Sequence, residues 1–222
     1  MIWVASLLLA CATPQGLPCY TITVKREQVV LFYSGPGDLG KYEATETRAQ
    51  GADGSFAVVS SFSSVGFQGQ VRREQREFYD AQSGYRYWLA PSTKTWVRFK
   101  PHIPVFPLRP SRSDNNCRPL AMTRDESYSS TGTQQIQGWQ TKGWRSAMPN
   151  GGSIEVWNAP GLDCTTLRSR TIHRNALRFP ELTETVEPVK VESGEPDRSW
   201  FVVPEGYKED DDPRHFGFGR RR

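Results

Sequence analysis

The sequence predicts an all-β fold, in which one large antiparallel sheet curves into an open half-barrel. Apolar and polar residues alternate through one segment after another, and short turns rich in Gly, Asp and Ser separate these segments. Helical periodicity is nearly absent from the chain. Because turns of a few residues can only join neighbours that run antiparallel, we expect a sheet of about eight or nine antiparallel strands.

The first half of the chain supplies six segments of this kind, which are 20–33, 41–50, 55–62, 71–80, 85–90 and 95–100. Asp53-Gly54 predicts the turn into the third segment. The tetrapeptides "AQSG" and "PSTK" predict the turns that separate the last three.

The second half continues the pattern with segments 133–148, 153–159, 163–174 and 181–192. Asn150-Gly151-Gly152 and Pro160-Gly161 predict turns between them. A single helical turn is expected to close on Phe201. Residues 20–207 therefore form one antiparallel β domain, and the charge-blocked, Gly-rich residues 208–222 are expected to be a disordered tail.

A proline-rich connection, residues 101–119, separates the two halves. Its prolines recur every third residue from Pro101 to Pro110, which is the repeat of a polyproline II helix. The segment fits two roles, a docking element for the aromatic groove of a partner or a stiff strap laid across the sheet. We favour the strap.

Residues 1–12 are apolar and uncharged, too short to span a bilayer, and typical of the apolar core of a secretion signal. Ala10-Cys11-Ala12 predicts cleavage after Ala12, which favours a soluble periplasmic or secreted protein. The same residues also fit a lipobox, in which Cys11 becomes a lipidated, membrane-anchoring N-terminus. A buried N-terminal strand or helix is a third interpretation, and the missing positive charge is explained by a mis-assigned start codon.

Cysteine usage agrees with export. No Cys-x-x-Cys occurs and no Cys/His cluster has zinc-finger spacing. Cys19 lies beside the cleavage site, whereas Cys117 and Cys164 lie in the main body of the chain, so we expect these two to form a disulfide. Closing a loop of this length stabilises a fold by roughly 4 kcal/mol in the chain-entropy model.

Composition limits the class of protein. Aromatic residues make up 12% of the 222 residues and include seven Trp, which indicates a folded core. The 28 basic and 24 acidic residues leave a net charge of +4, which is too balanced to predict nucleic-acid binding.

Residues 35–40, Gly35-Pro36-Gly37-Asp38-Leu39-Gly40, match the G-x-G-x-x-G pattern of dinucleotide-binding folds. In those folds the glycines lead into a helix whose N–H groups hold the pyrophosphate. Here they lead into "KYEATETRAQ", which alternates like a strand. The hexapeptide therefore predicts a loop between antiparallel strands, and no cofactor site is expected.

Catalytic signatures are also missing. His102, His173 and His215 are far apart, and the chain contains neither a G-x-S-x-G elbow nor a His-Glu-x-x-His motif. The acidic pairs, such as Asp125-Glu126, fall in expected turns or in the tail. We expect no catalytic or metal site and no enzymatic activity.

Five tryptophans in or beside expected strands are the candidate ligand-facing residues: Trp88, Trp96, Trp139, Trp144 and Trp157. They fit two structures. In one, they fill the core of a curved sheet. In the other, some of them line a concave apolar face, because a sheet that curves without closing leaves such a face open.

Three stretches of the second half carry a family resemblance: "GTQQIQGWQTKGWR" (132–145), "IEVWNAPGL" (154–162) and "EPDRSWFVVPEGYK" (195–208). Together with the "GADGS" and D-x-x-S-G turns of the first half, they resemble a group of uncharacterised exported proteins common in acidobacteria. That group is similar, more distantly, to the lipoprotein carriers of the bacterial envelope. The resemblance implies a half-open barrel that holds acyl chains, and it transfers no catalytic residue.

The sequence thus favours an exported envelope protein, not transmembrane, that binds a lipid or another apolar ligand, or an envelope partner along a sheet edge. A structural or interaction protein with a filled core is the alternative.

Overall fold

The computed structural model describes residues 18–31, 39–66, 69–101, 116–119, 127–148, 151–174 and 180–210. Every strand in these ranges belongs to a single sheet of twelve strands, and no α-helix occurs among these residues.

The strands, in chain order, are β1 Tyr20–Leu31, β2 Leu39–Gln50, β3 Phe56–Gly66, β4 Gly69–Asp80, β5 Tyr85–Ala90, β6 Thr95–Phe99, β7 Tyr128–Ile136, β8 Trp139–Ala147, β9 Ser153–Ala159, β10 Thr165–Arg174, β11 Pro180–Ser193 and β12 Lys208–Glu209. Their order in the sheet is β12-β6-β5-β4-β3-β2-β1-β11-β10-β9-β8-β7. Since β12 and β7 lie at opposite ends and do not pair, the sheet is open, and the predicted all-β half-barrel is confirmed.

Two antiparallel meanders, β1–β6 and β7–β11, meet where the first strand pairs with β11 along nearly its whole length. Tight turns make each meander. In the turn after β4, the amide of Gly84 donates to the carbonyl of Asp80, and Gly84 has φ 70°. Such a φ suits Gly because it has no Cβ.

Residues directly opposite each other in an antiparallel sheet share one face. Tyr20, Ile22 and Val24 of β1 lie on one face and are almost fully buried. They form a cluster with Phe56 of β3 and with Leu167 of β10, two strands that are four places apart in the sheet order. These contacts across the fold require the sheet to curve around this face, which we call the inner face.

A second cluster lies on the opposite, outer face. Its buried members are Ala49, Ala57, Phe78 and Leu89, and the first three are direct neighbours across β2, β3 and β4. The C-terminal segment covers this cluster with its large side chains, which are Trp200, Phe201, Val203 and Tyr207. The predicted helical turn is confirmed as one turn of 3-10 helix, Arg198–Phe201.

The predicted disulfide between Cys117 and Cys164 is present, with a Cα–Cα distance of 5.0 Å. Beside it, the buried Asn158 amide donates to the Cys117 carbonyl at 2.8 Å and accepts from the Thr166 hydroxyl at 2.7 Å. None of the described cysteines is a free thiol. The described end of the proline-rich connection, residues 116–119, is thereby fixed to the sheet. Residues 102–115, on which the polyproline prediction depends, lie outside the described residues.

The expected eight or nine strands are too few. The ten alternating segments of the sequence themselves fall two short of the twelve strands, for two reasons. Residues 133–148 contain a hairpin whose turn is Gln137-Gly138, with φ 50° and 81°, so this segment belongs to two strands. Lys208 and Glu209 belong to the expected tail, yet they form β12, which pairs with β6 in parallel. Their pairing depends on the nearby outer-face cluster, which carries the chain to the sheet edge. Residues 211–222 and the N-terminal prediction for 1–12, including Cys11, lie outside the described residues.

The glycine-rich hexapeptide joins β1 to β2, which pair antiparallel over twelve residues. Leu39 and Gly40 already belong to β2, and residues 35–38 lie outside the described residues. No helix follows the hexapeptide in residues 39–66. The prediction of a connection between antiparallel strands is confirmed.

Candidate functional site

The inner face changes character along β1. Tyr20, Ile22 and Val24 are buried, whereas Arg26 and Val30, further along the same face, are only half-buried. A single alternating strand thus contributes to a closed apolar region and to an open mixed one. We call these regions the apolar end and the open end of the inner face.

The apolar end is the cluster around Tyr20, Ile22, Val24, Phe56 and Leu167, and it is filled by its own side chains. The rings of Phe56 and Tyr79 stack with centroids 5.5 Å apart. Trp139 and Trp157 pack against the same cluster.

One polar group lies inside the apolar end. The Tyr20 hydroxyl is 2.9 Å from the Thr165 hydroxyl, within a hydrogen bond that is buried. Burial raises the pKa of Tyr20 to about 12, because the phenolate would lose its hydration.

A band of charged side chains runs diagonally across the inner face, from Arg86 and Glu77 beside the apolar end to Arg26 and Glu184 toward the open end. Its members are Arg26, Glu46, Arg48, Glu77, Arg86 and Glu184, which we call the charged band. The Arg26 guanidinium lies between two carboxylates, with Nη2 3.9 Å from Glu46 and Nε 3.8 Å from Glu184. Glu46 also pairs with Arg48. Arg86 contacts Glu77 at 2.6 Å.

Two donors of the charged band have no hydrogen-bond acceptor within the described ranges. These are the Nε atoms of Arg26 and Arg86, both of which are buried. The 3.8 Å contact of Arg26 with Glu184 is too long for a hydrogen bond. The Arg86 guanidinium also lies 5.5 Å from the ring centroid of Trp88, a cation–π distance. The described residues therefore leave two guanidinium N–H groups of the band without an acceptor.

Beyond the charged band, the open end carries half-buried apolar side chains: Val30, Tyr42, Phe62 and Leu182. Val30 and Leu182 are directly opposite each other, and the rings of Tyr42 and Phe62 lie 5.8 Å apart. Burial raises the pKa of Tyr42, although its side chain is less enclosed than that of Tyr20. The open end thus combines partly exposed apolar surface with the charged band beside it.

A cavity of about 240 Å³ lies over β1–β3. Five of its seven lining residues belong to the outer-face set of these strands, including Lys25, Glu43 and Ser61. The lysine and glutamate pair with each other at 3.6 Å. This cavity is a polar alternative to the inner face.

The five candidate tryptophans do not form one surface. Trp96 packs into the outer-face cluster under the C-terminal segment, and Trp88 lies on the inner face beside Arg86. Trp139 and Trp157 complete the apolar end. Trp144 is half-buried in β8, and its Nε1 has no acceptor among the described residues. Contact of any of the five with a ligand stays a prediction.

The charged band was missed from the sequence. Its signal is Arg26, which continues the inner-face alternation of Ile22 and Val24 in "TITVKREQVV". A charged residue at a strand position that faces a buried surface is unusual, and it indicates either an ion pair or a binding site. Its partners come from β2 and β11, so only the strand pairing reveals the band.

Within the residues that the structure describes, no three His, Cys, Asp or Glu side chains lie together in a way that could hold a metal ion. His173 is half-buried in β10, and the other two histidines lie outside the described residues. In the described part of the chain, no helix has the length and hydropathy needed to cross a membrane.

No protein-family model matches the chain, and no curated protein does. Among solved structures, one similar chain is an uncharacterized conserved protein from Thermus thermophilus, at 7% identity and a TM-score of 0.37, with 87% of this chain and 90% of that chain covered. A chain of the Pseudomonas aeruginosa MucA/MucB complex is 13% identical with a TM-score of 0.42, and the match covers 84% of this chain and 56% of that one.

A LolA superfamily protein from Nitrosomonas europaea is also similar, at 10% identity and a TM-score of 0.27. The match covers 86% of this chain and 92% of that one. The resemblances to the acidobacterial group and, more distantly, to lipoprotein carriers stay predictions. Since all three TM-scores are low, these matches carry no argument about function, which must rest on the residues of this chain.

Proposed function

We propose that this chain is an exported binding protein that holds an amphipathic ligand, such as a lipid, against the open end of the inner face. The observation that carries the proposal is the pairing of two features on one face. Half-buried apolar side chains lie near the Arg26 guanidinium, whose Nε–H has no acceptor in the described structure.

The apolar part of the ligand would contact Val30, Tyr42, Phe62 and Leu182. Each of these side chains is partly exposed, so a ligand that covers them removes more apolar surface from water. Complete burial of such a side chain is worth about 1.5–3 kcal/mol, and covering several of them supports a stable complex.

The polar part of the ligand would lie on the charged band. The band is balanced, with three arginines and three glutamates, so net charge does not select the ligand. An oxygen acceptor, such as an ester, phosphate or carboxylate oxygen, would instead satisfy the Nε–H of Arg26. A buried donor without an acceptor costs about 1–3 kcal/mol, which an acceptor on the ligand recovers.

The apolar end does not take part in this proposal as a pocket, because its own rings fill it. The strands β1, β2 and β3 run from this packed cluster to the open end. Export is supported by the disulfide between Cys117 and Cys164, since such bonds persist mainly in oxidising compartments. Two expectations stay predictions: that the chain has no enzymatic activity, and that an envelope protein is a partner.

A second candidate function is that of a structural or interaction protein without a ligand. The filled apolar end favours it, because Tyr20, Phe56, Trp139 and Trp157 are used for internal packing there.

Binding of dansyl-undecanoic acid, a fluorescent fatty-acid probe, tests the proposal. Phe62→Asp places a charge on the open end, although Phe62 also borders the polar cavity. Ser61→Asp places the same charge on the preceding residue, which faces the outer side and lines that cavity. We expect at least about a tenfold loss of probe affinity in the first variant, and wild-type affinity in the second.

Two results would overturn the proposal. Wild-type protein that leaves the probe fluorescence unchanged favours the ligand-free alternative. Loss of binding in Ser61→Asp, alone or together with Phe62→Asp, places the probe in the outer-face cavity. Urea unfolding of both variants shows that each is folded under the conditions of the titration.

A further inference from the structure

The two edges of the sheet are protected differently. At one edge, β12 pairs with β6, where the Lys208 amide donates to the Lys94 carbonyl and the Asp210 amide donates to the Trp96 carbonyl. Arg98, inside β6, adds a charge to this edge, and it pairs with Glu209. Short capping strands and charged residues are common devices that keep a sheet edge from pairing with another chain.

The opposite edge, β7, lacks these devices. Its sequence, "YSSTGTQQI", contains neither a charged residue nor a proline. Residues 129–133 are all exposed, and no strand in the described ranges pairs with the far side of β7. A bulge between Ser130 and Gly132 interrupts its ladder with β8, so the regular part of the edge is residues 132–136.

We propose that two copies of this chain associate through β7, with the two strands antiparallel and Gln134 on the two-fold axis. This register places Thr133 opposite the second copy's Gln135, and no charged residues face each other. The proposal is independent of the proposed function, because β7 contributes no residue to the open end.

The side chain of Gln134 supports the second copy as the occupant. Its Nε2 is buried and has no hydrogen-bond partner among the described residues. Side chains that are directly opposite across antiparallel strands lie about 4.5–5.5 Å apart at Cβ. A second Gln134 at that position would supply the amide oxygen that this donor lacks, and a pair of identical amides can satisfy each other across a two-fold axis.

Pairing through one edge buries little surface, so the dimer should be weak. Sedimentation velocity of the full chain should show a reversible monomer–dimer equilibrium between about 10 μM and about 1 mM. The double variant Thr133→Lys/Gln135→Lys places like charges opposite each other twice, and it should remain monomeric over this range. Thr133→Glu/Gln135→Glu should do the same.

An equimolar mixture of the two double variants should restore the dimer, because every opposed pair then carries opposite charges. The control Gln82→Lys/Ser92→Lys changes two exposed turn residues far from β7 and should dimerise like the wild type. Rescue in the mixture also shows that both charged variants fold.

Three results would overturn the proposal. The wild type remains a monomer throughout the range, the charged variants dimerise as well as the wild type, or the mixture fails to associate. A foreign peptide that copurifies with the wild type and is lost from both charged variants would assign the edge to a peptide instead of a second copy.

Discussion

The apolar end and the open end of the inner face are built from the same strands with the same alternation, yet only one of them is closed. At the apolar end, Ile22 and Val24 are covered by Leu162, Leu167 and Ile136, which come from the second meander. At the open end, Val30 and Phe62 are half-buried, and the described residues place no comparable cover over them.

Strand pattern alone therefore does not decide which side chains are buried in a curved open sheet. Side chains on the inner face become buried where the curvature brings distant strands together. Where the strands diverge, the same face stays partly open, and Arg26 and its carboxylate partners can occupy it. Three experiments test this division of the inner face.

The largest effect is expected from removing apolar volume at the closed end. Ile22→Ala leaves a cavity in a site that is fully buried, and we expect a loss of about 2–5 kcal/mol in the free energy of unfolding. Val30→Ala, on the same face of the same strand, should cost about 1 kcal/mol, since its side chain is half-buried. Urea unfolding measures both variants. Equal losses would contradict the division of the face into two ends.

A smaller effect is expected from alkaline pH acting on Tyr20. Its pKa is about 12 in the folded chain, against an ordinary value of 10.0. The contribution of Tyr20 to the free energy of unfolding is therefore fully present below pH 10 and is lost as the pH rises toward 12. The reason is that the Tyr20 hydroxyl ionises in the unfolded chain before it ionises in the folded one. The difference corresponds to about 2–3 kcal/mol.

Tyr20→Phe is the control for this effect. It removes the titrating group, so its free energy of unfolding should fall less steeply over the same pH range, at a cost of about 1 kcal/mol from the Thr165 hydroxyl left without its partner. Parallel pH profiles of the two proteins would show that Tyr20 is not the group responsible.

The smallest effect on stability is expected at the charged band. Arg26→Met should change the free energy of unfolding by at most about 1 kcal/mol, because its two ion pairs are long and its side chain is one-third exposed. Lys25→Met, the adjacent residue on the outer face, is the matched control.

The proposed role of Arg26 predicts that the two variants differ in their affinity for the fatty-acid probe. Arg26→Met should weaken binding of dansyl-undecanoic acid, whereas Lys25→Met should leave it unchanged. A loss of several kcal/mol of stability in Arg26→Met, with no change in affinity, would make the band a structural feature of the fold.

Much of the fold was predictable because local chemistry specifies it. Alternation and turn residues located most strands, and Asp53-Gly54 and the turns after β4 and β5 lie where the sequence places them. The Gln137-Gly138 hairpin was missed because one polar residue before a Gly, between similar segments, is a weak turn signal. β12 was missed because its two residues pair only after the C-terminal segment has packed on the outer face.

The candidate site was less predictable. The tryptophans that attracted attention in the sequence are divided between two faces, and Trp96 belongs to the outer-face cluster. Aromatic residues contribute both to core packing and to binding surfaces, so their presence in a sequence does not tell which role they have. The charged band depends on the pairing of β1 with both β2 and β11, and β11 is far from β1 in the chain.

The class of fold and the hairpin neighbours follow from the sequence, since periodicity and turn chemistry are local properties. The Cys117–Cys164 pair was predicted because both cysteines lie in the main body of the chain. Which face is inner, where that face is closed and which charges meet on it emerge only in the folded molecule. Those properties depend on the curvature of the sheet, and curvature follows from how twelve strands pack together and not from any one of them.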